Sequence, residues 1–250
     1  MFSGWTDRRA VAPIVAELAG TFLFFFVGMG AVAALDRATG LSSLASGGID
    51  PAAGLIVVAL AHGVVLAVLV SALGAISGGH FNPAVSFAVW LSGNLPWRRA
   101  ASYVVAQLIG GLLAGLALRL IFTADVSPGL GTPALGSGID VLGGIVVETV
   151  LTVVLLVAVF GTAVDPRAPK IGGLAIGLAV SADILMGGPL TGAAMNPARW
   201  FGPAAVTGMW DNWYVWIIGP LLGGGIVALA YRYLFADEAS LTRTPAEPLA

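Results

Sequence analysis

The tripeptide Asn82-Pro83-Ala84 occurs a second time in this chain, as Asn196-Pro197-Ala198. Asn is a preferred N-cap residue, and Pro is favoured at the first helical position because its missing N–H would have no partner there. Each tripeptide therefore predicts the start of a helix. The apolar stretches that follow, 84–91 and 198–206, correspond to helices of about 15 Å. Such helices cover only half of a hydrocarbon core of about 30 Å.

The composition indicates that the chain is embedded in lipid. Its 250 residues include 11 Lys and Arg and 13 Asp and Glu, and the mean hydropathy is +0.96. A soluble domain of this length would carry about 60 charged residues, and so few charges cannot build a surface that faces water. The net charge of −2 gives no reason to expect a nucleic-acid partner. The absence of Cys excludes disulfides and thiolate chemistry.

Six apolar stretches are each long enough to cross a bilayer as a helix. They lie near Val11–Leu35, Ala53–Ile76, Arg99–Phe122, Val141–Val164, Ile171–Gly187 and Trp213–Leu234. Most basic residues fall at the two termini and in the second and fourth connections, namely Arg8, Arg9, Arg98, Arg99, Arg167, Lys170, Arg232 and Arg243. By the positive-inside rule, both termini are predicted to be cytoplasmic, which requires an even number of spans.

The two halves of the chain repeat each other. Glu17 lies in the first span and Glu148 at the matching place in the fourth, and each half has an Asn-Pro-Ala tripeptide between its second and third spans. Because three spans is an odd number, the second half enters the membrane from the opposite side. We therefore predict an all-α membrane protein with six transmembrane helices and two re-entrant half-helices in an inverted repeat. A single channel domain would occupy 1–250, with repeat halves at about 11–122 and 141–235 and a disordered cytoplasmic tail at 236–250.

Inverted symmetry brings two helix N-termini together near the midplane, each with about half a positive charge from its aligned peptide dipoles. Asn82 and Asn196 can then turn NH₂ donors towards a shared lumen. A water molecule between them would accept hydrogen bonds through its oxygen and direct its own protons away along the pore. This arrangement is predicted to interrupt a proton wire and to repel cations while a neutral molecule passes.

The segments Ile76–Ser86 and Leu190–Ala204 resemble the two signature loops of the aquaporin, or major intrinsic protein, family. The resemblance extends from about Ala12 to Leu234. It implies a passive channel in the lipid bilayer for water and small uncharged solutes that excludes protons and ions. It also implies a homotetramer with one pore per subunit, and it calls for no cofactor, metal or catalytic residue. The short termini suggest a prokaryotic protein of the plasma membrane.

The same resemblance places a filter of four residues on the outer side of the Asn pair: His62, Ile184, Ala193 and Arg199. The set is similar to that of plant tonoplast-type channels, which implies passage of water and ammonia, with urea or hydrogen peroxide as further solutes. Arg199 supplies a fixed positive charge, although a cation near a helix N-terminus is electrostatically unfavourable, and this mismatch argues for a function. His62, a lone His in an apolar span, either faces the pore or is a packed, hydrogen-bonded residue. The alternative is that the protein is a glycerol-type facilitator.

Several polar residues around the signature loops have competing interpretations. Glu17 and Glu148 either brace the loops by hydrogen bonding or act in proton relay, and the need to satisfy buried backbone favours bracing. His80 is expected to brace the first loop. Asp183 is expected near a helix end, and the sequence gives no role for it or for Trp200, where most water channels of the family carry a small residue.

Other functional classes are less favoured. An ion-coupled secondary transporter also uses inverted repeats and half-helices, but the Glu pair is the only candidate coupling centre in the sequence. A junction protein that merely packs would have no use for His62 with Arg199. An enzyme is the least favoured class, because the sequence contains no recognisable nucleophile–base pair or metal-ligand cluster.

Overall fold

The computed structural model describes residues 8–39, 50–167, 169 and 171–235, and the predicted tail at 236–250 lies outside them. Helices make up all the regular structure of these residues: α1 (Arg8–Thr39), α2 (Pro51–Ser77), α3 (Pro83–Leu91), α4 (Trp97–Ile121), α5 (Val141–Val159), α6 (Gly172–Thr191), α7 (Pro197–Thr207) and α8 (Val215–Ala230). Helices α5 and α8 each continue into a π-helical turn, Phe160–Val164 and Tyr231–Phe235.

Six of these helices are long and apolar enough to cross a membrane, in agreement with the predicted spans. With six crossings, the two ends of the described chain lie on the same side, here called the inner side. The remaining helices, α3 with 9 residues and α7 with 11, are the predicted half-helices. Helix α3 ends at the inner side beside α8, where Arg232 donates a 3.0 Å hydrogen bond to the Leu91 carbonyl. Helix α7 ends at the outer side beside the α4–α5 loop.

Both half-helices begin as the Asn-Pro pairs predict. The Asn82 side-chain oxygen accepts from the Ala84 N–H at 2.8 Å, and that of Asn196 accepts from the Ala198 N–H at 3.0 Å. Pro83 and Pro197 occupy the first helical positions. The start of each half-helix is thus fixed by local hydrogen bonds.

The approach to the second half-helix differs from what its residues predict. Two glycines and a proline at 187–189 predict non-helical backbone after a span that ends near Gly187, but α6 continues through them to Thr191 and ends at Gly192 with φ +78°. A proline near a helix end removes few backbone hydrogen bonds, and membrane helices tolerate it where neighbours satisfy the freed groups. Asp183 consequently lies in the middle of α6, buried, and not at a helix end.

Glycines bring the helices of each half into backbone contact. A Cβ atom on Gly110 of α4 would lie 2.6 Å from the Leu18 carbonyl of α1. On Gly223 of α8 it would lie 2.5 Å from the Thr149 carbonyl of α5. Small residues permit this close approach in lipid, where helix association depends on packing. The matching contacts in the two halves belong to the inverted repeat and place both re-entrant segments at the centre.

Candidate functional site

The first re-entrant loop, residues 78–82, is held by the carboxyl group of Glu17 from α1. One carboxyl oxygen accepts from the Ser77 hydroxyl at 2.6 Å and from the His80 N–H at 2.9 Å. The other accepts from the Phe81 N–H at 2.7 Å and from the Gln107 amide at 2.8 Å. Glu17 is fully buried, so its oxygens supply the acceptors that the loop N–H groups cannot obtain from water.

The second re-entrant loop, residues 192–196, has the same frame around Glu148 from α5. One carboxyl oxygen accepts from the Thr191 hydroxyl at 2.6 Å and from the Ala194 N–H at 2.9 Å. The other accepts from the Met195 N–H at 2.7 Å. These distances match those at Glu17, and the two carboxyl groups therefore perform the same structural task in the two repeats.

The carboxyl groups hold the loop backbones in a conformation that residues other than glycine ordinarily avoid. Phe81 and Met195, the residues before each Asn, have φ values of +46° and +52°. Ala193 has φ +45°, and Gly79, at the matching place in the first loop, has φ +65°. Residues other than glycine rarely adopt positive φ, and such strain persists only where surrounding contacts fix it.

The two loops are joined to each other through the Asn side chains. The Asn82 amide donates to the Met195 carbonyl at 2.9 Å, and the Asn196 amide donates to the Phe81 carbonyl at 3.0 Å. Each NH₂ group has two donors, so one holds the opposite loop and the second is left for a molecule in the lumen.

A lumen passes this junction. A cavity of about 120 Å³ is lined by both Asn residues and by all four predicted filter residues, and it continues inward to Val159, Ala163 and Val164. A second cavity of about 490 Å³, the outer vestibule, opens beyond the filter and shares His62, Ile184 and Arg199 with the first. His62, Ile184 and Arg199 therefore lie where the two cavities meet, here called the constriction, and Ala193 borders the inner cavity only.

Arg199 is anchored on two sides at this constriction. Its Nε donates to His62 Nε2 at 3.3 Å, and its Nη1 donates to the Gly131 carbonyl at 2.8 Å. His62 Nδ1 lies 2.9 Å from the Val58 carbonyl, so these bonds assign a neutral ring with its proton on Nδ1. His62 thus lines the lumen and is also fully hydrogen-bonded, which combines the two interpretations offered by the sequence. Gly131, in the loop between α4 and α5, was not anticipated.

The rest of the constriction is apolar. Ile184 and Ala193 are both buried in the protein and border the lumen. Neither offers a hydrogen-bonding side chain, so the polar groups of the constriction come from His62 and Arg199. The arrangement favours small molecules that accept hydrogen bonds at one face and tolerate an apolar wall at the other.

His80 belongs to a polar cluster behind the first loop. Its Nδ1 lies 3.1 Å from the Ser86 hydroxyl, which also accepts from the Gln107 amide at 2.9 Å. The ring meets Tyr103 edge to face at 5.4 Å between centroids, and His80 borders the lumen. The sequence indicated the brace but not its partners, because Gln107 lies on a different span.

Trp200 lies behind the second loop, away from the lumen. It is 2% exposed and stacks on Trp216 of α8, with centroids 5.8 Å apart and an interplanar angle of 4°. The Trp216 indole donates to the Thr191 carbonyl at 3.0 Å, beside the Glu148 frame. Trp200 therefore supports the second loop from behind, a role that became visible only from its partner on α8.

Among the described residues, no group of three His, Asp or Glu side chains is placed to hold a metal ion.

Comparison with known proteins gives a consistent result. Residues 4–231 match the sequence profile of the Major intrinsic protein family. The chain is 47% identical over 236 residues to Aquaporin TIP4-4 of Zea mays, covering 93% of this chain and 90% of that protein. It is 44% identical to Probable aquaporin TIP3-2 of Arabidopsis thaliana, covering 94% and 88%. The fold is similar to that of the aquaglyceroporin from Plasmodium falciparum, with a TM-score of 0.74 at 21% identity, over 90% of this chain and 96% of that chain.

Proposed function

Because this chain belongs to the major intrinsic protein family, whose members are channels and not enzymes, we propose that it is a passive channel for water and small uncharged solutes. The observation that carries the proposal is the junction of the two half-helices. There Asn82 and Asn196 border one lumen, and each keeps an amide donor free of the loop contacts.

The junction supports passage of water without passage of protons. A water molecule beside Asn82 and Asn196 accepts hydrogen bonds from both amides, which fixes its oxygen and points its protons along the lumen in opposite directions. The N-termini of α3 and α7 add positive potential at the same level. A chain of waters therefore cannot relay a proton through this point, and a cation is repelled.

The constriction sets the range of solutes. Arg199 repels cations and donates to passing oxygens, while His62 holds the guanidinium in place. Ile184 and Ala193 leave an apolar wall without a bulky aromatic ring. We assign ammonia, urea and hydrogen peroxide as the accompanying solutes. A glycerol-type facilitator has less support, since the plant relatives are named as aquaporins.

Glu17, Glu148 and His80 serve as braces in this proposal. They hold the strained loops so that the Asn amides stay at the lumen. A proton relay through either carboxyl group is disfavoured because the loop donors already occupy both of its oxygens.

The protein is a multi-pass membrane protein. We further propose that it is a homotetramer and that both termini are cytoplasmic. Chemical crosslinking in native membranes, with four-subunit products expected, tests the first proposal. The expected prokaryotic plasma membrane has no support from the relatives, which are plant proteins. Fractionation of the source cells would assign the membrane.

Stopped-flow light scattering on proteoliposomes tests the channel itself. An osmotic shock reports water, and gradients of ammonia, urea and glycerol report the solutes. Ile184→Trp, which fills the lumen with an indole, is the matched control at equal protein density. We expect fast flux that needs no ion gradient, and we expect this flux to be lost in Ile184→Trp. Flux that saturates and needs an ion gradient would support a coupled transporter, and flux no faster than in empty vesicles would refute the channel.

A further inference from the structure

The loop between α4 and α5 contributes to the filter although it lies outside both repeats. Its Gly131 carbonyl accepts from Arg199 Nη1 at 2.8 Å, the shorter of the two side-chain contacts that hold the guanidinium. The orientation of Arg199 therefore depends on where this loop places one carbonyl oxygen.

Arg119, in the last turn of α4, fastens the start of the loop. Its guanidinium donates to the carbonyls of Phe122 at 3.3 Å, Ser127 at 3.1 Å and Pro128 at 2.8 Å. The fully buried Ser127 also donates its hydroxyl to Asp36 of α1 at 2.6 Å. Hydrogen bonds from a charged guanidinium fork are stronger and more directional than neutral ones, so residues 127–128 are fixed against α1 and α4.

The segment from this anchor to Gly131 has little freedom. The Thr132 N–H and hydroxyl both donate to the Gly129 carbonyl, at 2.8 and 2.6 Å, which closes a tight turn. Leu130 is fully buried with φ +46°, and Gly131 has φ +68°. A Cβ atom at Gly131 would lie 3.0 Å from Val32 Cβ. Displacement at residues 127–128 is therefore transmitted to the Gly131 carbonyl.

We propose that Arg119 is a positioning residue for the filter: by holding residues 127–131, it keeps the Gly131 carbonyl where it draws the Arg199 guanidinium to the side of the lumen. This inference rests on the proposed channel function and explains how an outer loop sets solute selectivity. Arg199 borders both the lumen and the outer vestibule, so when the anchor is lost its guanidinium keeps the contact with His62 but gains freedom to swing across the constriction between them. The constriction then becomes narrower, which lowers the permeability of wide solutes more than that of water.

The test compares Arg119→Met with the unaltered channel in proteoliposomes. The measured quantity is the ratio of a solute's permeability to that of water. The solute is the largest one that the unaltered channel passes among ammonia, formamide, urea and glycerol. A fall of about threefold or more is expected, with water permeability changed less than about twofold. Arg119→Lys keeps the charge without the fork and should restore the ratio only in part. Arg232→Met is the matched control: it removes an Arg that donates to one carbonyl on the inner side and should leave the ratio unchanged.

A double-mutant cycle separates positioning from general destabilisation. In an Arg199→Val background, Arg119→Met should no longer change the ratio, because the side chain through which it acts is gone. The same fall in that background, or no fall in the single variant, would overturn the proposal. If Arg119→Met does not fold, Ser127→Ala decides, since it removes only the bond to Asp36. A smaller fall in the same direction supports the proposal, and an unchanged ratio refutes it. Absence of flux in the unaltered chain would instead contradict the channel function.

Discussion

The two re-entrant loops share one hydrogen-bonded frame but are supported in different ways from behind. Counting from the Asn residues, His80 matches Ala194 and Ser86 matches Trp200. Behind the first loop, His80, Ser86 and Gln107 form a polar cluster that reaches Glu17. Behind the second, the stacked rings of Trp200 and Trp216 fill the space.

The two supports differ because the repeats have different polar side chains available behind their loops. Pro220 stands where the first repeat has Gln107, since each is three residues before the glycine that contacts the matching helix. Neither Pro220 nor Ala194 has a polar side chain to offer, so a large ring replaces the polar cluster. The carboxyl frame is thus required by both loops, whereas the support behind it mainly has to fill space.

The filter is the second asymmetry. Arg199 and Val85 are each the third residue after their Asn, yet only the outer half-helix carries the cation. His62 and Gly131 accept from it on the outer side. The repeat therefore supplies a symmetric junction, and the difference at one matched position places a cation on its outer side only.

Replacing the carboxyl groups is expected to have the largest effect. The amide nitrogen of Gln cannot accept a hydrogen bond, whereas the Ser77 and Thr191 hydroxyls can accept one from it. Glu17→Gln and Glu148→Gln therefore each leave at least one loop N–H unpaired. At about 1–3 kcal/mol for each stranded group, each single variant should lose at least that much stability, and the double variant at least about 2–6 kcal/mol. Thermal unfolding in detergent measures the losses, and an unchanged unfolding temperature in either single variant would contradict the bracing role.

Exchanging Trp200 for its counterpart should have the next largest effect. Trp200→Ser introduces the residue type of position 86 and leaves a cavity beside Trp216, so a loss of about 3–5 kcal/mol is expected. Trp200→Phe is the matched variant. It keeps a ring on Trp216 and removes an indole N–H that has no hydrogen-bond partner among the described residues, so stability should be retained. A large loss in Trp200→Phe would show that this N–H is satisfied in the membrane.

Making the filter symmetric is expected to change selectivity more than stability. Arg199→Val introduces the residue type of Val85 and removes the charge from the constriction. Urea permeability relative to water should rise about tenfold, equivalent to about 1.4 kcal/mol in the barrier. Stopped-flow scattering measures the ratio, and a pH-sensitive dye inside the vesicles shows whether protons also pass. An unchanged ratio would assign the selectivity to the Asn junction alone.

The smallest effect is expected at the inner end of α5. Asp165 there pairs with Arg167 at 2.6 Å, and hydrogen bonds from Arg167 lower the pKa of Asp165 to about 2. Because the Arg167 side chain is 53% exposed, this pair should contribute less than about 1 kcal/mol. Because the folded-state pKa lies below the unfolded value of about 3.9, the contribution is present above about pH 4 and is lost as the pH falls towards 2. Unfolding temperatures of Asp165→Asn and the unaltered chain should therefore differ by a constant small amount between pH 5 and 8, and a difference that varies in this range would contradict the assignment.

Local chemistry explains why so much of the fold could be predicted. The lengths of the apolar stretches, the Asn-Pro starts and the repetition of Glu17 at Glu148 depend on neighbouring residues and on the thickness of a bilayer. The predicted end of α6 is too early because two glycines and a proline at 187–189 usually end a helix. In the structure these residues stay helical, and α6 extends to Thr191.

The sequence by itself determined the six spans and the two half-helices, and its resemblance to a known family named the four residues proposed as the filter. Only the tertiary structure decided which groups meet: His62 with Arg199 across 137 positions, Gly131 with Arg199 across 68, and Trp200 with Trp216 on another helix. Contacts of this kind leave no periodic pattern along the chain, because they arise from how the helices cross and where one irregular loop settles. In a membrane, buried polar groups draw their partners from the protein, and those contacts therefore decide which groups border the lumen.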